Sequence, residues 1–337
     1  MRNLDKTTEL ASSIQQVCRV CGGGDLIKHT AVHQPVTRSG IFYHCKACES
    51  LSFHATENEE AYGESYYGNG NSKVGGLAQL LRTFSAVRRA DFANKISISS
   101  GLCLDIGCGD GEFLKAMQDR HWEVKGTELP GPAFERASGK LPGQVICTPE
   151  FENIVPFDSC ALITMWQVFE HLENPRKVLE NCRKLLTSDG ILAIGVPNPL
   201  SWQSQWGAGD WLHLDPPRHL HLLGVDAFLA LAKSCGFKCI AIRHSWIEFG
   251  PIGWIQTLLN KAGFPRDFFL ERLKDRWSGV SWIHRIGWMS VAMLFVLPAF
   301  VLALLESFAK RSATYEVYLR RDLLRHTDEI YRRPALE

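Results

Sequence analysis

The pattern of apolar and polar positions cuts the chain into strand-length and helix-length pieces. Residues 102–106 are a short apolar run of strand length. Three glycines, Gly107, Gly109 and Gly111, follow it, and residues 112–118 then continue at helical spacing. Further strands are predicted over residues 122–128, 144–147, 160–169, 191–196 and 237–246. Helices are predicted over 132–138, 174–186 and 226–234, with Ser188, Asp189 and Gly190 read as a turn. Strands that alternate with helices predict an α/β unit with a mostly parallel sheet. Residues 314–320 alternate well and read as a last, antiparallel strand. Ahead of the sheet, Leu77, Leu80, Leu81, Phe84, Val87 and Phe92 recur at helical spacing, with Arg82, Arg88 and Arg89 on the other face, and predict a helix over 77–95.

The stretch between the strands at 237–246 and 314–320 is too long for an ordinary connection. Within it, residues 286–305 carry no charged side chain, long enough to cross a bilayer. If both flanking strands belong to one sheet, a single crossing would leave the last strand on the wrong side. Burial in the protein, a homodimer contact and a helix lying in a membrane interface remain open. Trp277, Trp282, Trp288, Arg276 and Arg285 at its leading edge, with Lys310 and Arg311 after it, form the aromatic and basic fringe of an interfacial helix.

Composition narrows the partners. The 337 residues suit one large α/β domain plus a small appendage. With 37 Lys+Arg against 36 Asp+Glu, the charge balance argues against a nucleic-acid substrate. Residues 1–17 are polar and mixed, without a signal-peptide core, so the expected location is the cytoplasm, with the inner face of the membrane as the place of any docking. Most of the 11 cysteines are scattered, as in a reducing compartment. Four are paired as Cys18-x-x-Cys21 and Cys45-x-x-Cys48, a zinc-ribbon spacing whose four thiolates would close a tetrahedral, structural site.

The run Asp105-Ile-Gly107-Cys108-Gly109-Asp-Gly111 differs from a dinucleotide fingerprint by its tighter glycine spacing and by the acid inside the strand end. It resembles the first motif of class I S-adenosylmethionine (SAM) dependent methyltransferases. The pattern from Trp166 to Asn198, with Glu170-His171-Leu172, a helix, a strand and Pro197-Asn198, extends the resemblance over about residues 100–246. The four-cysteine unit in front extends it further, to the small-molecule and glycan-pathway type. The resemblance implies a Rossmann-like seven-stranded sheet with its last strand antiparallel, a small N-terminal zinc ribbon and an apolar helical insertion before the last strand. The implied division is a ribbon over 14–56, a linker and SAM-covering helix over 57–99, a methyltransferase domain over 100–321 with its insertion at 247–312, and a tail over 322–337.

By the same resemblance Asp105 reaches the methionine moiety of SAM, Gly107, Cys108, Gly109 and Gly111 form the floor, and Leu129 and Trp166 lie beside it. Glu128, at the end of the second strand, stands where a doubly wound domain places its ribose-binding carboxylate. The run His213-Leu-Asp-Pro-Pro-Arg218-His219-Leu-His221 looks like one that lines the acceptor side in family members. Candidates for proton transfer are His171, His219 and His221, with Glu170 beside them. Glu170 and His171 also resemble a motif of quinone-precursor O-methyltransferases that can hold a divalent cation, although Gln167 stands where those enzymes carry another carboxylate. The implied activity is methyl transfer to a small molecule, first a nucleotide-sugar or lipid-linked glycan hydroxyl and second a quinone or polyketide-like phenol. An RNA methyltransferase and an inactive SAM-binding module are the competing classes.

Overall fold

The computed structural model describes residues 16–32, 40–55, 76–245, 249–264 and 282–322. The tyrosine-rich segment 57–70, Arg276, Trp277, residues 323–337 and the side chains of Trp282 and Arg285 lie outside that description.

Strands β1 (Leu26–Val32), β2 (Gly40–Cys45) and β3 (Leu51–Ala55) form an antiparallel meander around the paired cysteines. Helix α1 (Gly76–Ile96) leads into β4 (Leu102–Ile106), α2 (Glu112–Gln118), β5 (Glu123–Glu128), α3 (Pro132–Lys140), β6 (Val145–Cys147) and β7 (Cys160–Trp166). The chain continues through α4 (Pro175–Leu185), β8 (Leu186–Pro197), α5 (Trp202–Gly207), β9 (His221–Leu222), α6 (Val225–Ser234) and β10 (Phe237–Ser245). It ends with α7 (Gly250–Lys261), α8 (Trp282–Phe308) and β11 (Thr314–Arg321).

The main sheet has seven strands in the order β10-β11-β8-β7-β4-β5-β6. Strand β11 runs antiparallel to both neighbours, and β4 through β8 pair in parallel. Because successive side chains on a strand point to opposite faces, neighbouring residues feed two cores. Leu104, Ile163 and Leu192 join Leu179, Leu185 and Phe228 on one face. Cys103, Leu162 and Ile191 join Ala90, Leu114, Met117 and Ala137 on the other. Residues 188–190 are not a free turn. They belong to β8 and bulge out between the pairs Cys160↔Leu186 and Leu162↔Ile191. Gly190 allows this, since a Cβ there would come within 2.8 Å of the Cys160 carbonyl.

The strand β9 lies outside that sheet. His221 and Leu222 pair with Ser52 and Leu51 of β3, making the N-terminal sheet four-stranded. Trp211, Leu214 and Leu222 pack with Phe42, Leu51 and Phe53. The ribbon and the histidine-rich loop thus share one small core.

A buried ion network fixes α1 to the last strands. Arg89 Nε donates to Glu316 Oε1 at 2.9 Å, Tyr318 OH donates to Glu316 Oε2 at 2.9 Å, and Arg243 Nη1 lies 3.3 Å from Glu316 Oε2. The Arg89 guanidinium also sits 4.6 Å above the Trp166 ring. Removing one partner of a buried pair is far more costly than the pair's net contribution suggests. Glu316→Ala is therefore expected to lower unfolding free energy by ~3–5 kcal/mol, read as a shifted urea midpoint. A midpoint within experimental error of the parent would show that the network contributes little.

Candidate functional site

The glycine turn lies at the C-terminal end of β4, flanked by β5 and β7. Gly107, Gly109 and Gly111 have φ of 68°, 56° and 76°, the left-handed region that side chains resist. Their tasks differ. A Cβ on Gly107 would meet Val168 Cγ2 at 2.6 Å, and one on Gly111 would press on Leu141 and Ala137 at 3.3–3.4 Å. A Cβ on Gly109 would meet nothing within 4 Å, so the middle glycine faces open space. Cys108 between them is buried, and its N–H donates to the Thr127 carbonyl.

Glu128 closes one side of this space. Its Oε2 accepts from Gly109 N at 2.7 Å and its Oε1 from Leu129 N at 2.9 Å. Burial pushes its carboxyl above the ordinary value, against the pull of those two donors. Each carboxylate oxygen retains capacity for a second hydrogen bond, so the anchored carboxylate can take two hydroxyls. This donor and acceptor set, with the open floor at Gly109, fits the ribose and chain of SAM.

Asp105 sits deeper. It is buried within the sheet, accepts from Thr164 Oγ1 at 2.6 Å, and is pushed up to about 7 by burial. The structure thus places it beneath the turn and against β7. Trp166, half-buried at the end of β7, stands edge-on to Phe113 with centroids 5.2 Å apart. Its neighbour Gln167 has φ 58°, uncommon for a residue with a side chain, and its Nε2 finds no hydrogen-bond partner. Strain of this kind clusters at ligand sites. Sequence reasoning noted Gln167 only as a departure from a motif, and its backbone conformation leaves no mark in the sequence.

The second half of the site gathers where β7 gives way to a short 3-10 turn over Phe169–His171. Ligating atoms of Glu170, His171 and His219 all lie within 4.8 Å of one another. His171 Nδ1 faces the Arg218 carbonyl at 3.0 Å and His219 Nδ1 faces the His213 carbonyl at 2.8 Å. A carbonyl only accepts, so each Nδ1 carries the proton and each Nε2 keeps a lone pair. His219 Nε2 lies 4.0 Å from Glu170 Oε1. Glu170 is 1% exposed, and neither carboxylate oxygen has a hydrogen-bond partner. Burial pushes its carboxyl up to about 8 and lowers both histidines below the ordinary imidazole value. These three could share a proton, or hold a cation through one carboxylate and two imidazoles.

The histidine-rich run does not converge as a whole. His221 lies fully buried in β9, edge-on to Phe169, and burial lowers it to about 3. His213 is buried between Trp211 and Phe249 and is lowered to about 4. Arg218 pairs with Asp215. Of the run, only His219 joins Glu170 and His171 in the close group.

Away from the sheet, the Sγ atoms of Cys18, Cys21, Cys45 and Cys48 lie within 4.8 Å of one another. The pairs Cys18–Cys48 and Cys21–Cys45 are each 3.6 Å apart. A tetrahedral site with Zn–S of about 2.3 Å needs sulfurs about 3.8 Å apart. Val20 N and Gly23 N donate to Cys18 Sγ and Cys21 Sγ at 3.4 Å. The donors and spacing fit zinc.

Residues 79–242 match the family described as a methyltransferase domain. The chain is similar to a ubiquinone biosynthesis O-methyltransferase of Glaesserella parasuis, at 30% identity over 28% of this chain and 44% of that protein. It is similar to one of Neisseria meningitidis at 23% identity, over 48% and 62%. It is also similar to a trans-aconitate 2-methyltransferase of Rhizobium rhizogenes at 26% identity, over 29% and 39%. The matches thus span about half the length of these relatives. A solved SAM-dependent methyltransferase from Archaeoglobus fulgidus superposes with a TM-score of 0.46 at 16% identity, over 73% of this chain and 98% of that one. The seven-stranded sheet with β11 reversed, most of which lies within the matched residues 79–242, is a Rossmann-like fold.

Proposed function

We propose that the protein is a SAM-dependent methyltransferase acting on a hydroxyl of a small molecule, with a structural zinc in its N-terminal unit. The observation that carries this reading is the Glu128 carboxylate, anchored on Gly109 N and Leu129 N beside the open floor of the glycine turn. Bound SAM would supply an activated methyl group on its sulfonium. The chain's own residues do the rest. Glu128 holds the ribose hydroxyls, and Gly109 lets the ligand approach the backbone. The acceptor's proton passes to Nε2 of His171 or His219, which burial keeps neutral and ready to accept it. Glu170 lies beside them, and once ionised its carboxylate would offset the imidazolium charge. The first acceptor class is a nucleotide-sugar or lipid-linked glycan hydroxyl. A quinone-type phenol is the second reading, favoured by the Glu170–His171 pair and by relatives named for ubiquinone biosynthesis.

The ribbon has a share in this chemistry. Phe53 N donates to the Leu220 carbonyl at 2.9 Å, and Leu220 N donates to the Glu170 carbonyl at 2.9 Å. The cysteine-bound unit therefore positions the strand that follows His219.

Three outcomes test the proposal. Glu128→Ala removes two acceptors worth ~1.5–3 kcal/mol each, so SAM affinity by calorimetry should fall more than about tenfold; unchanged affinity would remove Glu128 from the cofactor site. His171→Ala and His219→Ala should leave SAM affinity in place while the variant lacking the base turns over ~10²-fold slower; normal turnover in both would leave the close group without a role in proton transfer. Elemental analysis should find one zinc per chain, and Cys45→Ser should lose it together with acceptor turnover while SAM still binds. Metal-free protein with full turnover would refute the zinc assignment.

A further inference from the structure

Helix α8 is apolar on every side. From Val291 to Leu305 it has no polar side chain, and only 17% of the stretch Gly287–Phe308 is buried in the protein. Its inward face is a row of small residues, Ala292, Ala299 and Ala303, packed on Trp254, Ile255 and Leu259 of α7. Its outward face presents Met293, Leu294, Leu297, Phe300, Leu304 and Phe308, with Leu294 and Leu297 more than 70% exposed. A helix that is hydrophobic all round belongs in a core or a membrane. The one carboxylate in the helix, Glu306, is turned inward, where it accepts from Gln203 N at 2.7 Å and Trp254 Nε1 at 2.9 Å.

Those bonds forbid a single crossing. Glu306 clamps the end of α8 to α5 and α7, and Ser245 of β10 pairs with Thr314 of β11, so the chain returns to the strand end it left. A protein partner is also a poor match. Soluble interfaces carry about one hydrogen bond per 100–200 Å², and coiled coils carry charges along the apolar seam; from Val291 to Leu305 this face has no side chain that could supply either. Among the described residues, the charges beside it are exposed Lys310 and Arg311 just beyond the C-terminus, with exposed Lys261 over the Trp206 ring at 4.7 Å at the end of α7. Cations and tryptophan beside an apolar surface complement anionic headgroups over acyl chains.

We propose that α8 docks the enzyme on a lipid bilayer surface, lying in the interface without crossing it, and that the acceptor is lipid-borne. The second clause rests on the methyltransferase reading above. Hydrogen bonds from the insertion to the acceptor side support it: Leu212 N donates to Thr257 Oγ1 at 3.3 Å, and Asn260 Nδ2 donates to the Asp210 carbonyl at 3.0 Å. Helix α7 thus holds the start of the loop that leads to His219.

Flotation of the full chain with vesicles tests docking, with SAM affinity measured on the same samples as an independent check of fold and of the cofactor reading. The protein should co-float with phosphatidylglycerol vesicles and less with phosphatidylcholine alone. Leu294→Asp with Leu297→Asp should cut the floated fraction at least tenfold while SAM affinity stays within twofold. Lys310→Glu with Arg311→Glu should erase the preference for the anionic lipid. Protein that ignores both vesicles, or that light scattering shows to be a dimer broken by Leu294→Asp with Leu297→Asp, would overturn docking. Intact docking with no SAM binding would instead overturn the reading on which the lipid-borne acceptor depends.

Discussion

Two main-chain hydrogen bonds, Phe53 N to Leu220 O and Leu220 N to Glu170 O, join the three parts of this molecule. One end is the cysteine-paired ribbon, the middle is the histidine-rich loop, and the other end is the exit of β7. The loop from Trp211 to Leu220 has little regular structure of its own, and a loop is costly to order unless something outside it supplies contacts. Here β3 supplies them, together with the small core of Phe42, Phe53 and Trp211. The position of His219 relative to Glu170 is therefore a consequence of the ribbon's fold, although the ribbon lies far away in sequence. A zinc that folds the ribbon would act on the chemistry through this backbone path and through the shared core.

The site concentrates groups that are expensive to bury. Glu170 has no hydrogen-bond partner for either oxygen, and burial holds its acid form up to about 8. The main sheet meets a similar cost differently. Glu316 is equally buried but is surrounded by Arg89, Arg243 and the Tyr318 hydroxyl. The contrast separates two uses of a buried carboxylate. One is satisfied and ties helix to sheet; the other is left with capacity at the point where a substrate proton or an ion would arrive.

Much of this was legible in the chain. The parallel sheet and the turn at Gly107–Gly111 follow from local periodicity and glycine spacing, and the reversed last strand from the resemblance; most strand ends differ from expectation by a residue or so, but β8 starts at Leu186 rather than 191 and β7 ends at Trp166 rather than 169. What escaped the sequence depends on tertiary pairing. A two-residue strand at His221–Leu222 has no periodicity to detect, yet it decides that His221 is packed against Phe169 while His219 turns toward Glu170. The bulge at residues 188–190 looks like a turn because Ser-Asp-Gly is turn chemistry, and only the pairing on either side keeps it within β8. Likewise three glycines of one motif divide into two that avoid Val168 and Ala137 and one that leaves space.

The insertion shows how topology limits composition. Taken alone, the uncharged stretch of α8 satisfies the length and hydropathy of a membrane-crossing helix. Paired strands at both of its borders and an inward Glu306 remove that option, while the alanine face accounts for the contact with α7 and leaves the larger apolar side chains outward. A surface of that kind in water is an aggregation hazard unless something covers it. Helix α7 bears on both problems, because one of its faces supports α8 and its Thr257 and Asn260 hold the backbone at Leu212 and Asp210. Helix α7 therefore links the apolar surface of α8 to the start of the loop that carries His219.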